Sequence, residues 1–132
     1  MKPYRVLVTG SRDWPTPALV WGALNDTRDE ALISDRHLVI VHGACPRGAD
    51  DHAAKWCKTA TQFVNGITEE THPANWRPGG VFDRAAGFRR NADMVALGAD
   101  VCLAFIRNGS RGASHTAARA EQAGIPVRRW TA

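Results

Sequence analysis

Leu38-Val39-Ile40-Val41-His42-Gly43-Ala44-Cys45-Pro46-Arg47-Gly48-Ala49-Asp50 is the stretch that decides the architecture. Its first four residues are a continuous aliphatic run, the pattern of a strand buried on both faces rather than of one that alternates. Two glycines and a proline then break the run. From Asp50 or Asp51 onward, Ala53, Ala54, Trp56, Cys57 and Ala60 recur at helical spacing. Buried strand, small-residue loop and helix, in that order, make the first half of a β-α-β unit.

The same grammar repeats on either side. Val6-Leu7-Val8 and Val101 to Ile106 are further continuous apolar runs, and Val127 to Trp130 is a shorter one entered through Gly124-Ile125-Pro126. Pro126 has no N–H to give a ladder, which places that strand near an edge. Gly66 to His72 is a fifth, weaker strand. Thr16 is placed to cap a first helix, with Pro17 at its first position and Leu19, Val20, Ala23, Leu24, Thr27 and Ala31 on one stripe. Two more helices are expected, from about Asp83 to Leu97 and from about Ala113 to Ala123, each stopped by the glycine that follows. Pro73 to Val81 reads as a long loop. The alternation predicts one α/β domain over residues 1–132, a Rossmann-like three-layer sandwich around a mostly parallel five-stranded sheet. In such sheets ligands bind beyond the carboxyl ends of the strands.

Composition narrows the class. The 132 residues carry 17 Lys and Arg against 13 Asp and Glu, a net charge of +4, which favours anionic partners without gathering into a basic tail. No apolar run reaches the length of a membrane span, and Met1 to Arg5 leads straight into a strand, so no signal peptide and no membrane association are expected. The three cysteines, Cys45, Cys57 and Cys102, form no C-x-x-C pair and fit free thiols in a reducing, cytoplasmic setting.

Three loops follow three of the strands. In Thr9-Gly10-Ser11-Arg12, Gly10 lets the backbone turn and approach a ligand, Ser11 adds a hydroxyl and Arg12 a planar fork of donors. The second loop, with Gly43, Ala44 and Gly48, opens a helix whose first amides and dipole suit an anion. There Asp50 reads either as a helix N-cap, the favoured reading, or as an acceptor for a ribose hydroxyl. The third, Asn108 to Ser114, brings Gly109, Ser110, Arg111, Gly112 and Ala113 to another helix start. Arg90 and Asn91, on the third helix, complete the expected binding set. His115 stands near a helix start as a candidate acid or base. Trp14 and Trp76, both in loops, are candidates to stack on a base. His42, Cys45 and His52 are irregularly spaced for a metal and lack a fourth ligand, so neither a metal nor a cofactor is expected. Phe88, Met94, Val95 and Leu97 give the third helix more apolar surface than one face needs, which points to a homodimer.

Taken together, Gly10-Ser11-Arg12, His42-Gly43-Ala44 through Asp50, Ala74-Asn75-Trp76, Arg90-Asn91 with Met94, and Gly109 to Ala113 resemble the SLOG superfamily of Rossmann-like nucleotide-binding domains, in its YspA-like, YpsA-related branch. The resemblance covers nearly the whole chain. It implies a site for a phosphate-bearing, nucleotide-derived small molecule. The superfamily includes the LOG phosphoribohydrolases, which split the base from a nucleoside monophosphate. Arg90 to Met94 matches their arginine segment in spacing, and Asn108 to Thr116 their glycine loop. Thr116, however, stands where those enzymes carry a glutamate, and Ala113 where they carry a threonine. The resemblance therefore implies binding or sensing first. The alternative is a phosphoribohydrolase in which Asp50, His115 and Arg90 are the catalytic candidates. A nucleic-acid accessory role, suggested by Arg77, Arg84, Arg89 and Arg90 around Trp76, is a further alternative.

Overall fold

The computed structural model describes residues 2–132. Five strands, β1 (Tyr4–Gly10), β2 (Leu38–His42), β3 (Ile67–Thr71), β4 (Val101–Ile106) and β5 (Val127–Thr131), alternate with four helices, α1 (Pro17–Ile33), α2 (Ala49–Phe63), α3 (Ala86–Ala96) and α4 (Arg111–Gln122). The sheet order is β3-β2-β1-β4-β5, and every neighbouring pair is parallel. The sequence pattern accounts for the order. The continuous runs β2 and β4 are buried throughout, whereas β3 and β5 mix half-buried with exposed positions at the two edges.

The pleat of the sheet divides its side chains between two cores. Val6, Val8, Leu38, Ile40, Leu103 and Phe105 face α1 and α2, meeting Val20, Leu24, Ala53 and Trp56. Leu7, Val39, Val41 and Cys102 face the other way, onto Met94 and Val95 of α3 and Ala120 of α4. This is the expected three-layer sandwich. Two of the four residues assigned to a dimer face, Met94 and Val95, are thus spent on the core, while Phe88 and Leu97 stay exposed.

Helix starts differ from the sequence reading for tertiary reasons. Thr16 has the extended backbone of an N-cap, but its side chain makes no capping bond. Its carbonyl accepts instead from the Trp14 indole at 3.1 Å. The start of α2 is set by Gly48, at φ 76°, not by Asp50 or Asp51. Asp83 lies outside α3, where its carboxylate accepts from the Ala85 amide at 3.0 Å, and the loop before the helix carries a 3₁₀ turn over Pro78–Gly80. The last helix begins two residues earlier than its apolar stripe suggests, at Arg111.

From β1 the chain winds outward through β2 to β3, then returns through α3 to β4 on the other side of β1. The connections after β1 and β4 therefore diverge, and a crevice opens above the paired ends Gly10 and Phe105.

Candidate functional site

The crevice is a cavity of about 500 Å³ at the carboxyl end of the sheet. Its floor is the end of β1, Val8 to Ser11. One wall is Ser110, Gly112 and Ala113 from the β4–α4 connection, and the opposite side carries Cys45, Arg47 and Asp50. Residues of the loop before α3 and of α3 itself, among them Trp76, Arg84, Arg90 and Asn91, close the remaining side. The volume lies within the ordinary range for small-molecule sites, roughly 300–1,000 Å³.

Ser11 ties these connections together. It is buried; its amide donates to the Phe105 carbonyl at 2.8 Å, and its hydroxyl accepts from the Arg107 amide at 2.8 Å. Its carbonyl accepts from the Ala49 amide at 3.2 Å, so the first amide of α2 is already engaged by the β1 turn. That contact needs glycine at 48, because a Cβ there would lie 2.6 Å from the Arg12 Cα, on a backbone at positive φ. Two acidic residues, Asp50 and Asp51, follow in the first turn of α2. They complement the helix dipole and leave little to attract a ligand anion. The start of α4 is different. Its first turn carries no acidic residue, and Ser110, Gly112 and Ala113 line the cavity. Of the two helix starts read from the sequence, the one at α4 is the better suited to an anion.

Asp50 occupies a distinct position. Its side chain is buried in the cavity wall and accepts from the Cys45 amide at 3.3 Å, which makes it a loop-organising residue and not the N-cap. Burial pushes its carboxyl above the usual carboxylate range, against the opposing pull of His42, of the Cys45 and Gly43 amides and of Arg90. His42 holds the same loop from below. It is fully buried, takes the Ala44 amide on Nδ1 at 3.0 Å and faces Glu69 through Nε2 at 2.6 Å. The turn it enforces puts Ala44 at φ 58°. The sequence offered His42 only as a weak metal ligand. Among the described residues no three His, Cys, Asp or Glu side chains are grouped so as to hold a metal ion, and His52 Nε2 contacts the Trp14 carbonyl at 2.9 Å.

Arg90 lines the cavity, and two of its three nitrogens are bonded within the protein. Nη1 donates to the carbonyls of Gly43 at 2.6 Å and His72 at 3.2 Å, and Nε to Asn91 Oδ1 at 2.7 Å. The guanidinium joins α3 to the ends of β2 and β3. Arg12 is exposed and lies over the Trp76 ring, 5.3 Å from its centroid. Trp76 also stacks on Phe82, over which the Arg77 guanidinium lies. Trp14 is not available to a base. It is buried with its ring edge-on to Phe105.

Gly43 and Ala44 line an adjoining cavity together with Pro73 and Ala74, and Arg12, Cys45, Arg47, Trp76 and Arg90 form the wall it shares with the main one. Gly109, Arg111 and His115 stand outside the main cavity's lining. His115 packs edge-on against Phe88, with 5.4 Å between ring centroids. Thr116 is buried inside α4, its hydroxyl donating to the Gly112 carbonyl at 2.9 Å. Arg47 and Arg84, absent from the set of binding residues read from the sequence, line the cavity. Arg47, between Pro46 and Gly48, and Arg84, between Asp83 and Ala85, are exposed loop residues that carry no periodic signal.

The family described as the YspA, cpYpsA-related SLOG family matches residues 4–79, from β1 to the 3₁₀ turn. The chain belongs to this SLOG family. The Gene 61 protein of Mycobacterium phage D29 is 46% identical over 123 residues, covering 93% of both chains. No solved structure matches the chain. The SLOG family match spans the Gly10 turn and the His42–Asp50 loop, on the β1 and β2 sides of the cavity, and Trp76 in the loop after β3. No helix among the described residues is long and apolar enough to cross a membrane.

Proposed function

We propose that this SLOG protein binds a phosphate-bearing, nucleotide-derived small molecule in the crevice between the Gly10 turn and the start of α4. The observation that carries the reading is the convergence of the β1 turn and the α4 start, free of acidic residues in its first turn, on one cavity at the point where the chain reverses across the sheet. A phosphate sits at Ser110 to Ala113, and Asp50 and Asn91 receive sugar hydroxyls. Titration calorimetry with AMP, GMP, CMP and UMP tests it. Saturable binding of at least one is expected, and no binding of any sinks the reading.

One feature favours a hydrolytic alternative, in which the N-glycosidic bond of a nucleoside monophosphate is cleaved. A carboxyl raised by burial and facing a cavity is suited to general acid catalysis. Thr116 supplies no carboxylate, so Asp50 is the group on which that chemistry depends. A free-base release assay separates the two readings. Sensing predicts release no faster than the Asp50→Asn variant gives, and turnover abolished by that substitution promotes the enzyme.

A further inference from the structure

We infer that the ligand carries two or more contiguous phosphates, read by Arg12, Arg47 and Arg84. The inference rests on the proposed nucleotide site and narrows its ligand class. These three side chains come from three separate connections, after β1, β2 and β3, yet they line one cavity. All three are exposed, and none makes an ion pair or a side-chain hydrogen bond among the described residues. Their neighbours in the sequence behave otherwise: Arg89 is paired with Asp83, and Arg90 is committed to carbonyls. The cavity has two carboxylates, Asp13 and Asp50. Asp13 lies 3.9 Å from Arg107, and Asp50 is buried in the wall. A surplus of unpaired guanidinium groups is left around the opening.

The placement of that surplus argues for an extended anion. One phosphate is served by the α4 start, at Ser110, Gly112 and Ala113. Arg12 and Arg47 belong to the wall shared with the second cavity, to which no residue of the β4–α4 connection contributes. An anion that reaches both the helix start and this wall is longer than a single phosphate. Arg12 is also held in a suitable attitude. Its guanidinium lies over the Trp76 ring, 5.3 Å from the centroid, and its N–H donors carry no hydrogen bond, which leaves them free for phosphate oxygens. The chemistry is that of a nucleoside di- or triphosphate chain or of a pyrophosphate bridge.

Inorganic phosphate, pyrophosphate and tripolyphosphate test this without assuming a base. Calorimetry at fixed ionic strength should find pyrophosphate bound at least about tenfold tighter than phosphate. Arg47→Gln and Arg84→Gln should each lower that ratio severalfold, as expected for loss of a charge-assisted hydrogen bond. Both side chains are exposed and unpaired, so the variants should keep the wild-type melting temperature. Arg119→Gln, in the last turn of α4 and outside the cavity, should leave the ratio unchanged. ADP and diadenosine pyrophosphate then distinguish a terminal chain from a bridge, and tighter binding of either over AMP supports the inference. It is overturned if phosphate and pyrophosphate bind alike, if neither binds, or if the Arg47 and Arg84 variants leave the ratio untouched. Nucleoside monophosphates that bind with no gain from a second phosphate would overturn it while leaving the proposed function standing.

Discussion

Arg90 Nη1 donates to the Gly43 carbonyl at 2.6 Å, joining two residues 47 positions apart on α3 and the β2–α2 loop. Gly43 is what permits the approach, since a Cβ there would lie 2.6 Å from the guanidinium carbon. Gly43→Ala should therefore expel the arginine rather than break the backbone. The loss of a charged donor from two carbonyls is expected to cost about 1.5–3 kcal/mol. Arg90→Ala should lower stability by a similar amount and weaken nucleotide binding as a consequence. Equilibrium urea denaturation of the two single variants and the double variant checks this. The double variant should be little worse than either single one, because both remove the same contact.

Much of this contact network lies beyond what local sequence carries. The strands and their order of appearance were legible because Leu38 to Val41 and Val101 to Ile106 are uninterrupted apolar runs. The loops were legible because glycines punctuate them. The start of α2 was not, since Gly48 owes its role to the distant Ser11 carbonyl and Arg12 backbone. Trp14 and Trp76 look alike in sequence, as loop tryptophans. Only the fold sends one beneath the sheet's end against Phe105 and leaves the other beside the cavity. The arginines divide in the same way. Arg90 meets carbonyls from β2 and β3, whereas Arg47 and Arg84 reach the opening unpaired.

The three thiols should differ sharply in reactivity. Burial pushes Cys57 up to about 12, with Glu69 adding to the effect, and pushes Cys102 up to about 12 as well. Both are buried, whereas Cys45 is half-exposed on the cavity wall. Native protein treated with a thiol reagent at pH 8 should be modified at one site, Cys45, and unfolded protein at three. Mass spectrometry of the intact chain reads the count. A bound nucleotide should slow the single native reaction.

Acid should weaken the fold through Glu70. Its hydrogen bonds and ion pairing with Arg5, aided by His72, hold its carboxyl down to about 2, below the ordinary value of 4.5. A carboxyl depressed on folding contributes stability that is complete above about pH 4.5 and is lost as the pH falls towards 2. Burial raises Asp50, so that group acts in the opposite sense, and stability linked to it falls as pH rises. The total curve mixes the two, and Arg5→Met isolates the first. The difference in melting temperature between wild type and Arg5→Met should be full at pH 6 and shrink as the pH falls from about 4.5 towards 2. A constant difference across that range would remove Glu70 from the acid response.

Gly10 and Gly112 line the same cavity, and alanine at each should separate folding from binding. At Gly10 an added Cβ would run into the Ala49 Cβ and stand 3.0 Å from the Phe105 carbonyl oxygen. Both obstacles are fixed, one by α2 and the other by β4, so Gly10→Ala must prise a helix from the sheet. The expected cost is at or above the upper end of the roughly 1–3 kcal/mol typical of overpacking. At Gly112 nothing lies within 4 Å of the added atom, and the residue sits in the first turn of a helix. Alanine there should preserve stability or raise it by up to about 1 kcal/mol, since glycine is the weaker helix former. Its methyl would nevertheless occupy space beside the α4 amides, where the ligand phosphate must come close. Gly112→Ala should therefore bind pyrophosphate and nucleotides at least about tenfold more weakly, a loss of roughly 1.4 kcal/mol, at an unchanged or higher melting temperature. Thermal melts and calorimetry on both variants decide the matter. Wild-type affinity in Gly112→Ala would move the phosphate away from the start of α4.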